Sequence, residues 1–171
     1  MKTRRIVLVG FMGCGKTSVA QALARRLNCK YVDLDTFITE TSGRSPAEII
    51  QQDGEPAFRA VETRALDAVL RQTEFQVIAL GGGTWTVDAN RTLVALHECQ
   101  TVWLDAPFEL CWQRIMTGND VRPLAPDRKT AEARYSSRIS DYALTDRRMT
   151  ISETDTPATV AEMILNEPAR Q

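Results

Sequence analysis

Histidine occurs once in this 171-residue chain, at His97, and cysteine four times, at Cys14, Cys29, Cys99 and Cys111. No C-x-x-C pair is present, and no Cys/His spacing suits a zinc site, so neither a structural metal centre nor a disulfide framework is expected. The four cysteines read as free thiols in a reducing compartment, which predicts a cytoplasmic protein. His97 reads as a surface or near-surface residue. No apolar run approaches the ~20 residues a membrane helix needs. The basic start Met1-Lys2-Thr3-Arg4-Arg5 leads into an apolar run that stops at Gly10. That run is too short for a signal-peptide core, and no A-x-A-like site follows. An excess of one charge is also missing: 21 Lys+Arg against 22 Asp+Glu leave a net charge of −1. There is thus no electrostatic case for nucleic acid or an anionic membrane as partner. Internal repeats, low-complexity segments and long linkers are absent, and no surface stripe reads as an obligate interface, so a single domain and a monomer are expected. The hydrophobic fraction of 43% and charged fraction of 25% are those of an ordinary globular protein.

What is present is concentrated near the start. Gly10-Phe11-Met12-Gly13-Cys14-Gly15-Lys16-Thr17 fits the pattern G-x-x-x-x-G-K-[ST]. Ile6–Val9 before it is an unbroken aliphatic run, the mark of a buried parallel strand. Ser18 to Leu27 after it reads as a helix with Val19, Ala20, Leu23, Ala24 and Leu27 at helical spacing. The glycines therefore fall in a strand-to-helix loop. There the N–H groups of Gly13, Cys14, Gly15, Lys16, Thr17 and Ser18 can converge on phosphate oxygens at a positive helix end. Lys16 is expected to reach the β/γ-phosphates of a nucleotide, and the Thr17 hydroxyl to ligate Mg²⁺.

Further strands are expected at Tyr31–Val32, Gln76–Leu80, Thr101–Leu104 and Met149–Ser152, with helical patterns between them. This alternation argues for an α/β domain with a parallel sheet. Ser45-Pro46-Ala47-Glu48 is a capping box with Pro at the first helical position, and Thr156-Pro157 opens the last helix in the same way. A helix runs from the Gly54-Glu55-Pro56 turn to about Leu70, and another from about Lys129 to Tyr142. Met116 to Asp127 lacks an apolar period and reads as a mobile lid that keeps water from a γ-phosphate.

Three other clusters carry chemistry. Asp33-Leu34-Asp35 follows the second strand, where ligands bind in doubly wound sheets. Strand alternation is expected to put both carboxylates on one side, one near Mg²⁺ and the attacking hydroxyl, the other on a polyol. Asp35 has the alternative reading of an N-cap for a helix starting at Thr36. Gly81-Gly82-Gly83 follows the third strand and leaves backbone N–H groups bare for a ligand. Arg59 reads either as a guanidinium fork for a substrate carboxylate, oriented by Glu62, or as an i,i+3 ion pair with it. Arg138 reads as a second fork or as a partner of Asp141. Arg122, in the lid, suits a transferring phosphoryl group, and Arg114 is a weaker candidate of the same kind.

In order and spacing these motifs resemble the shikimate kinase family over essentially the whole chain. The resemblance rests on G-F-M-G-C-G-K-T at 10–17, D-L-D at 33–35, G-E-P-A-F-R-A-V-E at 54–62, G-G-G at 81–83, R-P-L at 122–124 and Arg138 four residues before Tyr142. It implies a P-loop three-layer α/β/α fold of the nucleoside-monophosphate-kinase type, with a five-stranded parallel sheet in the order 2-3-1-4-5. It implies a substrate-binding segment at about 34–61, a lid at about 113–127, and the reaction of ATP with shikimate to give ADP and 3-phosphoshikimate. By that resemblance Asp35, Arg59, Gly81, Gly82, Gly83 and Arg138 hold shikimate, the arginines gripping its carboxylate. Asp33 orients or deprotonates the 3-hydroxyl and orders Mg²⁺ through water. Lys16 and Arg122 stabilise the transferring group, and Arg114 lies on the ATP side. The chain departs from the family at Arg138-Ile139-Ser140-Asp141-Tyr142, where many members have Arg-x-Pro-Leu-Tyr. It departs again at Ser152 to Pro157, near the expected adenine contact, where some members carry an arginine. Trp85 has no role assigned by either reading.

Two other functions are open to a sequence of this kind. A related small-molecule kinase such as gluconate kinase shares the loop and sheet, but is not expected to combine D-x-D, F-R-x-x-E and the triple glycine at these spacings. A non-catalytic nucleotide-binding regulatory domain predicts loss of Lys16, Asp33 or Arg122, and all three are present. A nucleotide-hydrolysing switch needs an acid at the end of the third strand, which ends in glycines instead.

Overall fold

The computed structural model describes residues 4–119 and 122–166. Five parallel strands are β1 (Ile6–Val9), β2 (Lys30–Asp33), β3 (Phe75–Ala79), β4 (Gln100–Asp105) and β5 (Arg147–Thr150). They lie in the order β2-β3-β1-β4-β5, as the resemblance implies. All four residues of β1 are buried, whichever way they point. Both faces of the sheet are therefore covered, which is why the sequence there is continuously apolar rather than alternating. The helices are α1 (Lys16–Leu27), α2 (Leu34–Ser42), α3 (Pro46–Asp53), α4 (Glu55–Arg71), α5 (Asp88–Leu96), α6 (Phe108–Thr117), α7 (Arg128–Tyr142) and α8 (Pro157–Asn166). A short 3-10 turn occupies Thr84–Thr86.

The expected apolar stripe of α1 is the buried one: Val19, Ala20, Leu23 and Ala24 face the sheet. The helix begins at Lys16, two residues earlier than its apolar period. The capping box before α3 is formed, with Ser45 Oγ accepting from Glu48 N at 3.2 Å and Glu48 Oε2 accepting from Ser45 N at 2.6 Å. Only β1 keeps its expected bounds: β3 lies one residue earlier than expected and β4 gains one residue at each end. β2 is longer, because Lys30 and Asp33 belong to it despite their charge. β5 begins two residues earlier, at Arg147. An apolar-run criterion passes over Arg147, yet its guanidinium is buried and donates to the Ile164 carbonyl at 2.8 Å.

Topology sets the place of the site. The β1-to-β2 crossover runs to one side of β1 and the β3-to-β4 crossover to the other, so right-handed connections carry them over opposite faces. The loops after β1 and β3 thus part, and a crevice opens between these neighbouring strands at their C-terminal ends. The loop 10–15, Asp33 at the end of β2, and Gly81–Gly83 after β3 all meet there.

Candidate active site

The glycine loop is shaped by backbone angles that side chains rarely adopt. Gly13 has φ 79° and Gly15 φ 103°, and a Cβ at Gly13 would come within 2.7 Å of the Cys111 carbonyl oxygen. α1 has no side-chain cap and no acid in its first turn. Its first N–H groups therefore remain available to an anion, with the helix dipole behind them. Lys16 is buried beneath the loop, its Nζ donating to the carbonyls of Gly10 at 2.8 Å and Phe11 at 3.0 Å. From α6, Arg114 Nη1 braces the loop through the carbonyls of Gly13 and Cys14, at 3.2 and 3.3 Å. The Cys14 side chain is buried, so only its backbone faces a ligand. Thr17 Oγ1 donates to Asp33 Oδ2.

The two acids do not alternate along a strand as expected. Asp33 ends β2 and is itself the cap of α2, its Oδ1 accepting from Thr36 N at 3.1 Å. Asp35 lies in the first turn of that helix and caps nothing. Both nevertheless line one cleft of roughly 840 Å³ together with the glycine loop, Gly81, Gly82 and Arg122. The turn from strand to helix, not the pleat, brings them together. The Asp35 carboxyl is pushed up to about 6, first by burial, then by the neighbouring Asp33 and Glu62 carboxylates, against the pull of Lys16 and Arg122.

A second, smaller cavity opens off this cleft and shares Met12, Asp35, Gly81, Gly82 and Arg122 with it. The triple glycine forms its wall, and the reason for three glycines is visible. A Cβ on Gly81 would lie 2.7 Å from Glu62 Oε1, one on Gly82 would crowd the Met12 backbone nitrogen at 3.2 Å, and one on Gly83 would strike the Arg59 guanidinium. Arg59 is held by Glu62 at 2.7 Å and Glu55 at 3.0 Å. Arg134, from α7, shares Glu55 at 3.3 Å. Arg138 is 5% exposed, and its Nη1 has no hydrogen-bond partner. Burial lowers its pKa, and the nearby Arg59 and Arg134 guanidiniums add to this against the Tyr142 hydroxyl. Arg59 and Arg134 are thus matched by Glu55 and Glu62, while the Arg138 guanidinium at the cavity wall makes no ion pair among the described residues. An entering carboxylate would balance it.

Asp141 does not compete for Arg138. Its carboxylate lies 3.8 Å from Arg91, and its carbonyl accepts from Trp85 Nε1 at 3.0 Å. Trp85 thereby acquires a role, pinning the turn after the glycines to the end of α7. The Tyr142 hydroxyl donates to the Gly82 carbonyl at 2.5 Å. Glu55, Arg134, Tyr142 and Thr84 escaped sequence reasoning as site residues. Glu55 and Tyr142 had a signal, since Glu55 lies inside the G-E-P-A-F-R motif and Tyr142 closes the motif that begins at Arg138. Of the lid, Arg122, Pro123 and Leu124 line the smaller cavity, and Asp120 and Val121 lie outside the described residues. No group of three His, Cys, Asp or Glu suited to a metal occurs among the described residues.

A phosphate-binding loop, an acid pair and a cationic acceptor cavity on this sheet define a P-loop kinase, an ATP-dependent transferase. The chain belongs to the shikimate kinase family, whose model matches residues 12–168. It is 40% identical to the shikimate kinase of Parasynechococcus marenigrum over 95% of this chain and 84% of that one. The solved shikimate kinase of Acinetobacter baumannii in complex with shikimate superposes with a TM-score of 0.86 and 30% identity, covering 96% of this chain and 92% of that one. The shikimate kinase of Bacteroides thetaiotaomicron gives 0.85 at 25% identity, over 94% and 96%.

Proposed function

We propose that this protein transfers the γ-phosphoryl group of ATP to the 3-hydroxyl of shikimate, giving ADP and 3-phosphoshikimate, within aromatic amino acid biosynthesis. The observation that carries this is the cavity wall: Arg59 and Arg138 flank a bare glycine turn, one guanidinium nitrogen without a partner, beside the phosphate loop. A shikimate carboxylate fits that charge, and the ring hydroxyls then face Asp35 and Gly82. The cavity and the cleft meet at Asp35, Gly82 and Arg122, so an acceptor hydroxyl and a γ-phosphate approach each other there.

Catalysis of this kind is chiefly positioning and charge stabilisation. The loop N–H groups from Gly13 to Ser18 hold the triphosphate. Lys16 exchanges its loop carbonyls for phosphate oxygens, and Arg122 approaches the transferring group from the lid side. Asp33 orients the 3-hydroxyl and accepts its proton as the new P–O bond forms. Thr17 and Asp33 supply oxygen donors that already touch, the donor type Mg²⁺ prefers, and no dedicated metal cage occurs among the described residues, which suits an ion carried on nucleotide phosphates. Bound there, Mg²⁺ would supply positive charge against that of the phosphates. Residues 34–61 form the substrate-binding segment and 113–127 the lid of one kinase domain, acting as a monomer in the cytoplasm.

ADP release in a coupled assay with Mg-ATP, comparing shikimate, gluconate and no acceptor, tests the reading. Stimulation by shikimate alone is the expected result. Turnover with gluconate but not shikimate would replace it with a sugar-acid kinase.

A further inference from the structure

Glu62 is fully buried, and a buried carboxylate requires donors on both oxygens. Arg59 Nη1 donates to Oε2 at 2.7 Å. The other oxygen, Oε1, accepts from the Thr84 hydroxyl at 2.6 Å. Thr84 is itself fully buried, and its backbone is fixed from two sides. Its N–H donates to the Gly81 carbonyl at 3.2 Å, and its carbonyl accepts from Asn90 Nδ2 at 2.9 Å. The next carbonyl, Trp85, accepts from Arg91 Nη1 at 2.7 Å. The slot in which Thr84 meets Glu62 is open only because Gly81 has no side chain: a Cβ there would lie 2.9 Å from the Thr84 hydroxyl.

We infer that Thr84 is a positioning residue for the acceptor's carboxylate, acting through Glu62 on Arg59. A neutral hydroxyl on a rigid turn satisfies Oε1 without drawing on a second cation. Oε2 then faces Arg59 and fixes how that guanidinium is presented to the cavity. Without the hydroxyl, Glu62 has a bare buried oxygen, and the nearest strong donor is the same Arg59. The carboxylate turns toward it, and the fork leaves its binding orientation. This inference rests on the proposal above that Arg59 grips the substrate carboxylate.

The test compares Thr84→Val, which keeps the volume and removes the donor, with Thr84→Ser, which keeps the donor. The expected result for Thr84→Val is a five- to twentyfold rise in KM for shikimate, with kcat and KM for ATP within twofold of wild type. Thr84→Ser stays within twofold throughout. A merely structural tie would lower the melting temperature and leave this split absent. A folded Thr84→Val enzyme with unchanged KM for shikimate overturns the inference, as does a Thr84→Ser enzyme impaired to the same degree. Should Thr84→Val not fold, Thr84→Cys, a weaker donor of similar volume, is expected to give an intermediate KM, and a wild-type KM there overturns the inference. If wild type itself fails to respond to shikimate, the substrate reading falls separately. A crystal structure of Thr84→Val (or of Thr84→Cys) then decides: an Arg59 guanidinium turned from its wild-type orientation, with Glu62 rotated onto it, supports the positioning role, and an unmoved pair refutes it.

Discussion

Gly83 shows how one missing side chain shapes recognition. The atoms nearest a Cβ there are those of the Arg59 guanidinium, not backbone, so the guanidinium must move and its tie to the buried Glu62 is disturbed. Gly83→Ala is expected to lower the melting temperature by a few degrees and to raise KM for shikimate about tenfold, or ~1.4 kcal/mol. Loss of stability without a change in KM would argue against the assigned pocket. Asp35 carries a pH signature. Its carboxyl titrates near 6 in the folded protein, above the ~3.9 of an unfolded chain. A raised pKa means the folded state prefers the neutral acid. Its contribution to stability is therefore fully present below about pH 4 and is lost as the pH rises to about 6, on the order of 2–3 kcal/mol in all. Asp35→Asn should stabilise the free enzyme, without metal or nucleotide, at pH 7.5 and hardly at all near pH 4. Urea unfolding at the two pH values reads this directly, and equal effects at both would remove the perturbed carboxyl from the account.

Between elements, the tie that matters joins α4 to α7. Glu55, at the start of α4, accepts from Arg59 on its own helix and from Arg134 across the gap. Burial alone would raise the Glu55 carboxyl, but the hydrogen bonds from the two arginines outweigh it and bring it below its ordinary value. Arg134→Gln leaves Glu55 to Arg59 alone, which strengthens the competitor for the substrate carboxylate. KM for shikimate is expected to rise about threefold to tenfold, with a stability loss under about 1 kcal/mol, since the pair is partly exposed. Steady-state kinetics against urea unfolding separates the two, and an unchanged KM would make the contact a plain surface ion pair. The C-terminal end of α7 carries Tyr142, whose hydroxyl on the Gly82 carbonyl ties the position of the glycine turn to that helix.

At the scale of the whole molecule, the proposed function has nucleotide and acceptor bound by different parts of the fold. It gives the nucleotide the loop after β1, and the acceptor α4, α7 and the turn after β3. The acceptor cavity is lined by arginines, glycines, apolar groups and the carboxylates Asp35 and Glu62, the latter already held by Arg59 and Thr84, with no metal cluster among the described residues. Chelation of Mg²⁺ by EDTA is therefore expected to abolish turnover while leaving shikimate binding by calorimetry within about twofold. Mg-ATP at a hundred times its Kd should stabilise the fold by about 2.7 kcal/mol, and EDTA should remove most of that gain. Shikimate affinity that vanishes with the metal would place the ion in the acceptor cavity instead.

The local code of this sequence determined a good deal. Ile6–Val9 with the glycines behind it, the period of α1 and the Ser45–Glu48 box depend on neighbours a few residues apart. Backbone angles and short-range periodicity are sequence properties, and the family motifs added the order of the sheet. What the sequence left open involves contacts between distant segments. Asp33 and Asp35 meet through a strand-to-helix turn, not a pleat, and β5 tolerates Arg147 because the Ile164 carbonyl lies 17 residues away. Whether Arg138 paired with Asp141 depended on which way each pointed, and that was set by Trp85, Arg91 and the glycine turn. Thr84 has no local signal at all, because its partner Glu62 is 22 residues earlier. A hydrogen bond of that span exists only once α4 and the turn after β3 are packed together, so the tertiary structure alone decided it.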